Sequence, residues 1–83
     1  MVAFHAEAFD QFTEWAGTDA KLYERLIRLI IETAREPFTG LGKPEPLRHQ
    51  LKGCWSRRIN EEYRLVYRVA EEAITILPRR DHY

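Results

Sequence analysis

The spacing of apolar residues changes once along this chain, and that change limits the folds it can adopt. Up to residue 35, apolar side chains recur every three or four positions, which is typical of amphipathic helices. In much of the later chain they alternate with polar side chains, as in half-buried strands. Two helices followed by a strand meander predict an α+β fold, with the helices packed on one face of a mainly antiparallel sheet. The length of 83 residues suits one core rather than two, so we expect residues 1–83 to form a single soluble domain.

The individual elements are predicted from periodicity, capping residues and turn residues. The predicted helices cover residues 7–16 and 20–35, and the second begins after a good N-cap, Asp19, and ends before Pro37. Residues 36–46 hold three prolines and two glycines, which indicates an irregular connection. Strands are predicted over residues 2–5, 47–52, 55–59, 63–69 and 74–78. The sheet face away from the helices would then be free to meet a partner.

Charge is distributed unevenly, although the formal net charge is zero. Residues 1–42 carry four basic and seven acidic side chains, whereas residues 43–83 carry nine basic and six acidic ones. Most of the nine are arginines, whose planar fork of donors matches phosphate oxygens. The second half is therefore a candidate phosphate-binding surface. The alternative is a set of solvated strand charges with glutamate partners.

Several classes of function lack their signature in this sequence. The three histidines are scattered rather than set at metal-ligand spacing, and no glycine-rich nucleotide-binding motif occurs, so we expect no metal and no cofactor. No apolar run approaches the roughly 20 residues of a membrane helix, and the first residues do not resemble a secretory signal. The single cysteine, Cys54, is expected to be a buried apolar residue. We expect a cytoplasmic protein that does not contact membranes.

The remaining polar residues suit metal-free cleavage of RNA, in which the neighbouring 2′-hydroxyl is the nucleophile. The protein must then deprotonate that hydroxyl, stabilise charge on the phosphate and protonate the leaving oxygen. Glu45 lies between two prolines on a stiffened segment, Arg64 lies in the middle of a strand, and His82 carries an imidazole. Taken singly, these residues also fit an exposed loop glutamate, a cross-strand ion pair and a frayed chain end.

Four segments of the chain resemble the YoeB/Txe family of bacterial toxins, a branch of the RelE-like mRNA interferases. They are PFTGLGKPEPL (37–47), WSRRI (55–59), EEYRLVY (61–67) and the His-Tyr pair (82–83), in family order and near family spacing. The resemblance implies a small RelE-like domain that acts as a ribosome-dependent endoribonuclease, cutting mRNA in the A site of the small subunit and inhibiting translation. It also implies a cognate antitoxin protein as partner, and a homodimer is a further family expectation.

The resemblance also implies a role for each site residue. Glu45 is expected to be the general base, Arg64 to stabilise the phosphate, His82 to be the general acid and Tyr83 to orient the RNA. Basic side chains of the same half are expected to contact RNA and the ribosome; they are Lys43, Arg48, Lys52, Arg57 and Arg58. Two alternatives stay open at this point. One is a non-catalytic module that binds RNA, the ribosome or the antitoxin, and the other is a ribonuclease that needs no ribosome.

Overall fold

The computed structural model describes residues 1–71 and 73–78. Within these residues the chain forms two α-helices, five strands and one 3-10 turn. In chain order they are β1 (Val2–Phe4), α1 (Ala6–Thr18), α2 (Ala20–Arg35), β2 (Glu45–Pro46), the 3-10 turn (His49–Leu51), β3 (Cys54–Arg58), β4 (Arg64–Ala70) and β5 (Ala73–Leu77).

The strands form one sheet in the order β1-β5-β4-β3-β2. Only the β1–β5 pair within this sheet is parallel, and the other three pairs are antiparallel. Helices α1 and α2 pack on one face of the sheet, so the predicted α+β fold is confirmed. The core between the layers combines helix and strand side chains, chiefly Phe12, Trp15, Leu26, Leu29, Leu65, Tyr67 and Ile76.

Helix α2 has the bounds that the sequence predicts. The Asp19 carboxylate accepts a hydrogen bond from the Leu22 amide at 3.1 Å, which caps the first turn. Leu26 and Leu29 lie on the buried stripe, and burying each leucine side chain stabilises the fold by roughly 1.5–3 kcal/mol. Thr33 lies on the same stripe, and its buried hydroxyl has a hydrogen-bond partner because it donates to the Leu29 carbonyl at 2.6 Å.

The predicted strand over residues 47–52 is wrong. The β2 strand that pairs with β3 covers Glu45 and Pro46, one further hydrogen bond runs from the Leu47 amide to the Cys54 carbonyl at 2.9 Å, and His49–Leu51 forms the 3-10 turn. His49 has φ 60° and Gly53 has φ 94°, both in the left-handed region, which an extended strand does not use. The shorter β2 has a functional consequence, because it places Glu45 itself on the sheet rather than in the preceding connection.

The sheet face away from the helices is only partly open. Side chains directly opposite one another project to the same side of a sheet, so Glu45, Ser56, Val66 and Leu77 form one row on this face. Ser56 and Val66 are buried, as is Cys54, whose burial confirms its prediction. The face stays a predicted surface for a partner, and its accessible part lies around the charged side chains at the β2–β3–β4 edge.

Candidate active site

Two of the predicted catalytic residues meet on the accessible part of this face. Glu45 lies opposite Ser56 of β3, and Arg64 lies opposite Arg58 at the other end of the same strand. The Arg64 Nη1 donates to Glu45 Oε1 at 2.9 Å, and it is 3.5 Å from Ser56 Oγ. The side chains are 31% and 57% exposed, respectively, so a ligand can reach both.

His82 and Tyr83, the predicted general acid and RNA contact, lie outside the described residues. Strand β5 brings the described chain to the same side of the molecule as Arg64. Its last residue, Leu77, is opposite Val66, which is two positions from Arg64 along β4. The described part of the predicted site is thus Glu45 and Arg64.

Arg57, which the sequence suggests as an RNA contact, is buried instead, and that prediction is wrong. Its side chain has no exposed area, because β3 turns it toward the helices. Nη1 donates to the Leu41 carbonyl at 2.8 Å, and Nη2 donates to the Thr39 carbonyl at 3.0 Å and to the Glu36 carbonyl. Nε donates to the Tyr67 hydroxyl at 3.2 Å. The guanidinium is therefore committed to the protein interior and cannot contact RNA.

The other four basic residues of the predicted RNA-binding set are exposed. Lys43 precedes β2, Arg48 and Lys52 flank the 3-10 turn, and Arg58 ends β3. Arg58 is directly opposite Arg64, on the same face of the sheet. Because these four side chains are exposed, phosphate groups can reach them. Contact with RNA stays a prediction for each of the four.

A cleft of about 460 Å³ opens on the same face, beyond the buried Ser56–Val66 row. Its volume falls within the range of about 300–1,000 Å³ that is usual for ligand sites. It is lined by Arg68 of β4, by Leu77 and Pro78 at the end of β5, by Gln50 and Leu51 of the 3-10 turn, and by His5 and Glu7 at the start of α1. The accessible face thus extends from the Glu45–Arg64 pair toward Arg68.

Two residues near the site carry no role in the sequence prediction. Ser56 is fully buried and its hydroxyl lies beside Arg64, which only the strand register reveals. The Tyr67 hydroxyl donates to the Pro37 carbonyl at 2.6 Å while it accepts from Arg57. Burial raises the pKa of the Tyr67 phenol above its usual 10.0, and the hydrogen bond and positive charge of Arg57 oppose that rise.

The described residues contain neither a cluster arranged for a metal ion nor a membrane-spanning helix. No group of three or more histidine, cysteine, aspartate or glutamate side chains there is arranged to hold a metal ion. Neither described helix has the length and apolar content needed to span a membrane.

Comparison with known proteins relates the whole chain to a family. A family model described as YoeB-like toxin of bacterial type II toxin-antitoxin system matches residues 4–83. Toxin YoeB of Mycobacterium bovis is 49% identical over 82 residues, which cover 99% of this chain and 96% of that protein. Toxin YoeB of Escherichia coli K12 is 48% identical over 77 residues, which cover 93% of this chain and 92% of that protein.

Solved structures give the same result. The YoeB/ParE toxin from Agrobacterium tumefaciens superposes with a TM-score of 0.91 at 40% identity, covering 99% of this chain and 98% of that one. The YoeB–YefM complex from Staphylococcus aureus gives 0.88 at 34% identity, covering 100% and 97%. The YoeB dimer from Staphylococcus aureus gives 0.87 at 36% identity, covering 99% and 95%.

Proposed function

Since the chain belongs to the YoeB-like toxins of bacterial type II toxin–antitoxin systems, we propose that it is a ribosome-dependent endoribonuclease. On this proposal it cuts mRNA in the A site of the small subunit and so inhibits translation. The observation that carries the proposal is the contact between Glu45 and Arg64 on the accessible face of the sheet. A carboxylate and a guanidinium at hydrogen-bond distance supply two of the three groups that metal-free RNA cleavage needs.

The ion pair between Glu45 and Arg64 contributes little to the stability of the fold. Exposed ion pairs contribute about 0–1 kcal/mol, because water already solvates both charges and salt screens them. The Arg64 side chain is one-third exposed and that of Glu45 more than half exposed. A pair of such small structural value, on the same face as exposed basic side chains, is better explained by binding and chemistry than by folding.

The proposed reaction assigns one task to each group. Glu45 accepts the proton of the 2′-hydroxyl, whose oxygen forms a bond to the adjacent phosphorus. Arg64 turns from the Glu45 carboxylate to the phosphate, which frees the carboxylate to act as a base and stabilises the charge on the phosphate oxygens. The bond from phosphorus to the 5′-oxygen breaks, and His82 protonates that oxygen. The products are a 2′,3′-cyclic phosphate and a 5′-hydroxyl, and no metal or cofactor takes part.

The chain length is compatible with the role of His82. Four residues lead from Pro78 to His82, and at about 3.3–3.6 Å per residue they span at most roughly 14 Å. Because Leu77 is opposite Val66, this span starts close to Arg64. We propose that Tyr83 adjoins His82 in the site and stacks on an unpaired base, an interaction that tolerates any base.

The proposed partners follow from the relatives. One solved relative is a YoeB–YefM complex and another is a YoeB dimer. By analogy, we propose that this chain binds a cognate antitoxin protein and can form a homodimer in the cytoplasm. We further propose that the exposed basic side chains contact mRNA and the ribosome; they are Lys43, Arg48, Lys52 and Arg58.

Expression in cells followed by RNA analysis tests the proposal. The wild type should arrest growth and translation, whereas Arg64→Ala and a form lacking residues 82–83 should not. Arg28→Ala, which changes an exposed arginine on α2, is the matched control and should arrest growth like the wild type. Equal growth with all four forms would refute the catalytic assignment.

Purified components then separate the alternatives. Cleavage of mRNA on programmed ribosomes, with little cleavage of the same RNA alone, is the expected result. Equal cleavage of both substrates would indicate a ribonuclease that needs no ribosome. Binding to ribosomes without any cut ends would indicate a non-catalytic binding module.

A further inference from the structure

We propose that Arg57 and Tyr67, hereafter the Arg57–Tyr67 pair, are positioning residues that hold Glu45 at Arg64. The pair acts from the core side of the sheet on residues 36–41, the first part of the connection that leads to Glu45. This inference rests on the proposed function insofar as it concerns cleavage. Whether the pair holds residues 36–41 in place can be measured without any RNA.

The Arg57–Tyr67 pair binds the connection through four backbone carbonyls. Arg57 donates to the carbonyls of Glu36, Thr39 and Leu41, and Tyr67 donates to that of Pro37. An irregular segment has few backbone partners of its own, so its inward-facing carbonyls need donors from elsewhere. The fold supplies these donors from β3 and β4, two strands that are paired on both sides within the sheet.

The choice of arginine at this place is informative. All of its described hydrogen-bond partners are neutral oxygens, namely three carbonyls and one phenol. Burying a cation without a countercharge is costly, and a packed apolar side chain would stabilise a core with less penalty. A lysine ammonium is a compact point charge, whereas the guanidinium has five donors in a fixed plane. The arrangement therefore favours precise placement of the connection over maximal stability.

Further contacts transmit this placement to Glu45. The Arg58 amide donates to the Gly42 carbonyl at 2.7 Å, so the connection joins β3 immediately after the last carbonyl held by Arg57. A Cβ on Gly42 would lie 3.1 Å from the Arg57 Cβ and 2.9 Å from Leu29 Cδ2, which shows how tightly the connection packs there. Only two residues, the second of them a proline, then separate Gly42 from Glu45. A shift of the connection would move the Glu45 carboxylate with it.

Hydrogen exchange and kinetics of three variants test the inference. Arg57→Lys keeps the positive charge but loses the planar set of guanidinium donors. Tyr67→Phe removes one hydroxyl and is the milder change. Arg28→Lys is the matched control on the exposed side of α2. The Arg58 amide reports on the connection, and the His5 amide, which donates to Ile76 at 2.9 Å in β5, reports on the opposite edge of the sheet.

We expect the first two variants to raise the Arg58 exchange rate relative to that of His5, and the control to leave it unchanged. On programmed ribosomes we expect kcat to fall about tenfold or more, because a small misplacement of a catalytic group is enough for that. KM should stay within about twofold, since the exposed basic residues that we propose to bind RNA are unaltered. An unfolded fraction would also lower the apparent kcat at unchanged KM, so kcat is calculated from the concentration of folded protein, measured by circular dichroism before each assay.

Two results would overturn the inference. One is an unchanged exchange ratio in both variants, which would mean that the pair does not fix the connection. The other is a faster exchange with an unchanged kcat, which would mean that the connection does not govern Glu45. If the wild type cuts no RNA, the proposed function fails, and the exchange ratio alone then decides whether the Arg57–Tyr67 pair fixes the connection.

Discussion

The Arg64 guanidinium donates to the Glu45 carboxylate at 2.9 Å, although the two residues lie on strands that β3 separates. The contact passes over the buried Ser56, whose hydroxyl lies beside the same guanidinium nitrogen. Small Ser56 leaves room for the longer side chains to meet above the central strand. The sheet thus presents an acid and a cation to solvent as a unit, with their positions set by the register of three strands.

Replacing Glu45 should separate activity from stability. We expect Glu45→Gln to lower the single-turnover cleavage rate by about 10²–10⁴-fold, because the amide cannot accept the 2′-hydroxyl proton. The free energy of unfolding should change by no more than about 1 kcal/mol, since the ion pair is exposed. Cleavage on programmed ribosomes and denaturant unfolding measure the two quantities. A stability loss of several kcal/mol would assign the pair a structural role instead.

The exposed basic residues should govern the salt dependence of binding. Each phosphate contact releases counterions from the nucleic acid, so Arg58→Ala and Lys52→Ala should each reduce the slope of log affinity against log salt by about 1. Arg28→Ala on α2 should leave the slope unchanged. Ribosome or RNA binding at several salt concentrations provides the measurement. Equal slopes for all of these variants would exclude phosphate contacts at Arg58 and Lys52.

The buried Tyr67 phenol should make stability depend on alkaline pH. Its folded-state pKa is raised above 10.0, so the folded protein holds this proton more tightly than the unfolded chain does. The resulting stability is fully present below about pH 10 and is lost as the pH rises through the folded-state pKa. Tyr67→Phe should cost about 1–3 kcal/mol at neutral pH, because Arg57 Nε and the Pro37 carbonyl lose their partner. Between pH 9 and 11 the unfolding free energy of Tyr67→Phe should therefore fall less than that of the wild type. Parallel plots of unfolding free energy against pH for the two proteins would contradict this.

Three glycine substitutions should separate backbone strain from packing. Gly42→Ala should be the most destabilising, since φ is +85° and the new Cβ meets Leu29, Arg57 and Arg58. Gly53 has φ +94°, but no atom lies near the Cβ of an alanine there. Gly53→Ala should therefore lower the free energy of unfolding only by the cost of a left-handed backbone, about 1–2 kcal/mol. Gly17→Ala, in α1 with open space, should stabilise by roughly 0.5–1 kcal/mol. Thermal unfolding ranks the three variants, and equal effects at residues 42 and 53 would argue against tight packing of the connection.

The parts of the fold that depend on local signals could be predicted from the sequence. Helix α2 follows from one N-cap, a leucine stripe and a following proline, and its bounds match. Strand β4 alternates as predicted, with Leu65 and Tyr67 in the core. The error over residues 47–52 arose because strand periodicity does not reveal where a chain adopts positive φ, as it does at His49.

The role of Arg57 shows why part of the site could not be predicted. Arginine in a strand normally indicates a solvent-facing position, and the neighbouring Arg58 is exposed as expected. The burial of Arg57 depends on carbonyls contributed by residues 16 to 21 positions earlier in the chain. No local sequence pattern indicates such a long-range contact. In contrast, sequence context indicates Glu45 and Arg64 as candidates, and the family resemblance assigns both to one site because it carries long-range information that spacing lacks.

An mRNA with a single 2′-deoxy nucleotide at the cut site in the ribosomal A site tests whether the neighbouring 2′-hydroxyl is the nucleophile. We expect the wild type to cut the all-ribose mRNA and to leave a 2′,3′-cyclic phosphate and a 5′-hydroxyl. We expect no cut at the deoxy position, because the nucleophile is missing there. Cleavage at the deoxy position, or equal cleavage of the ribose mRNA by Glu45→Gln, would contradict this mechanism.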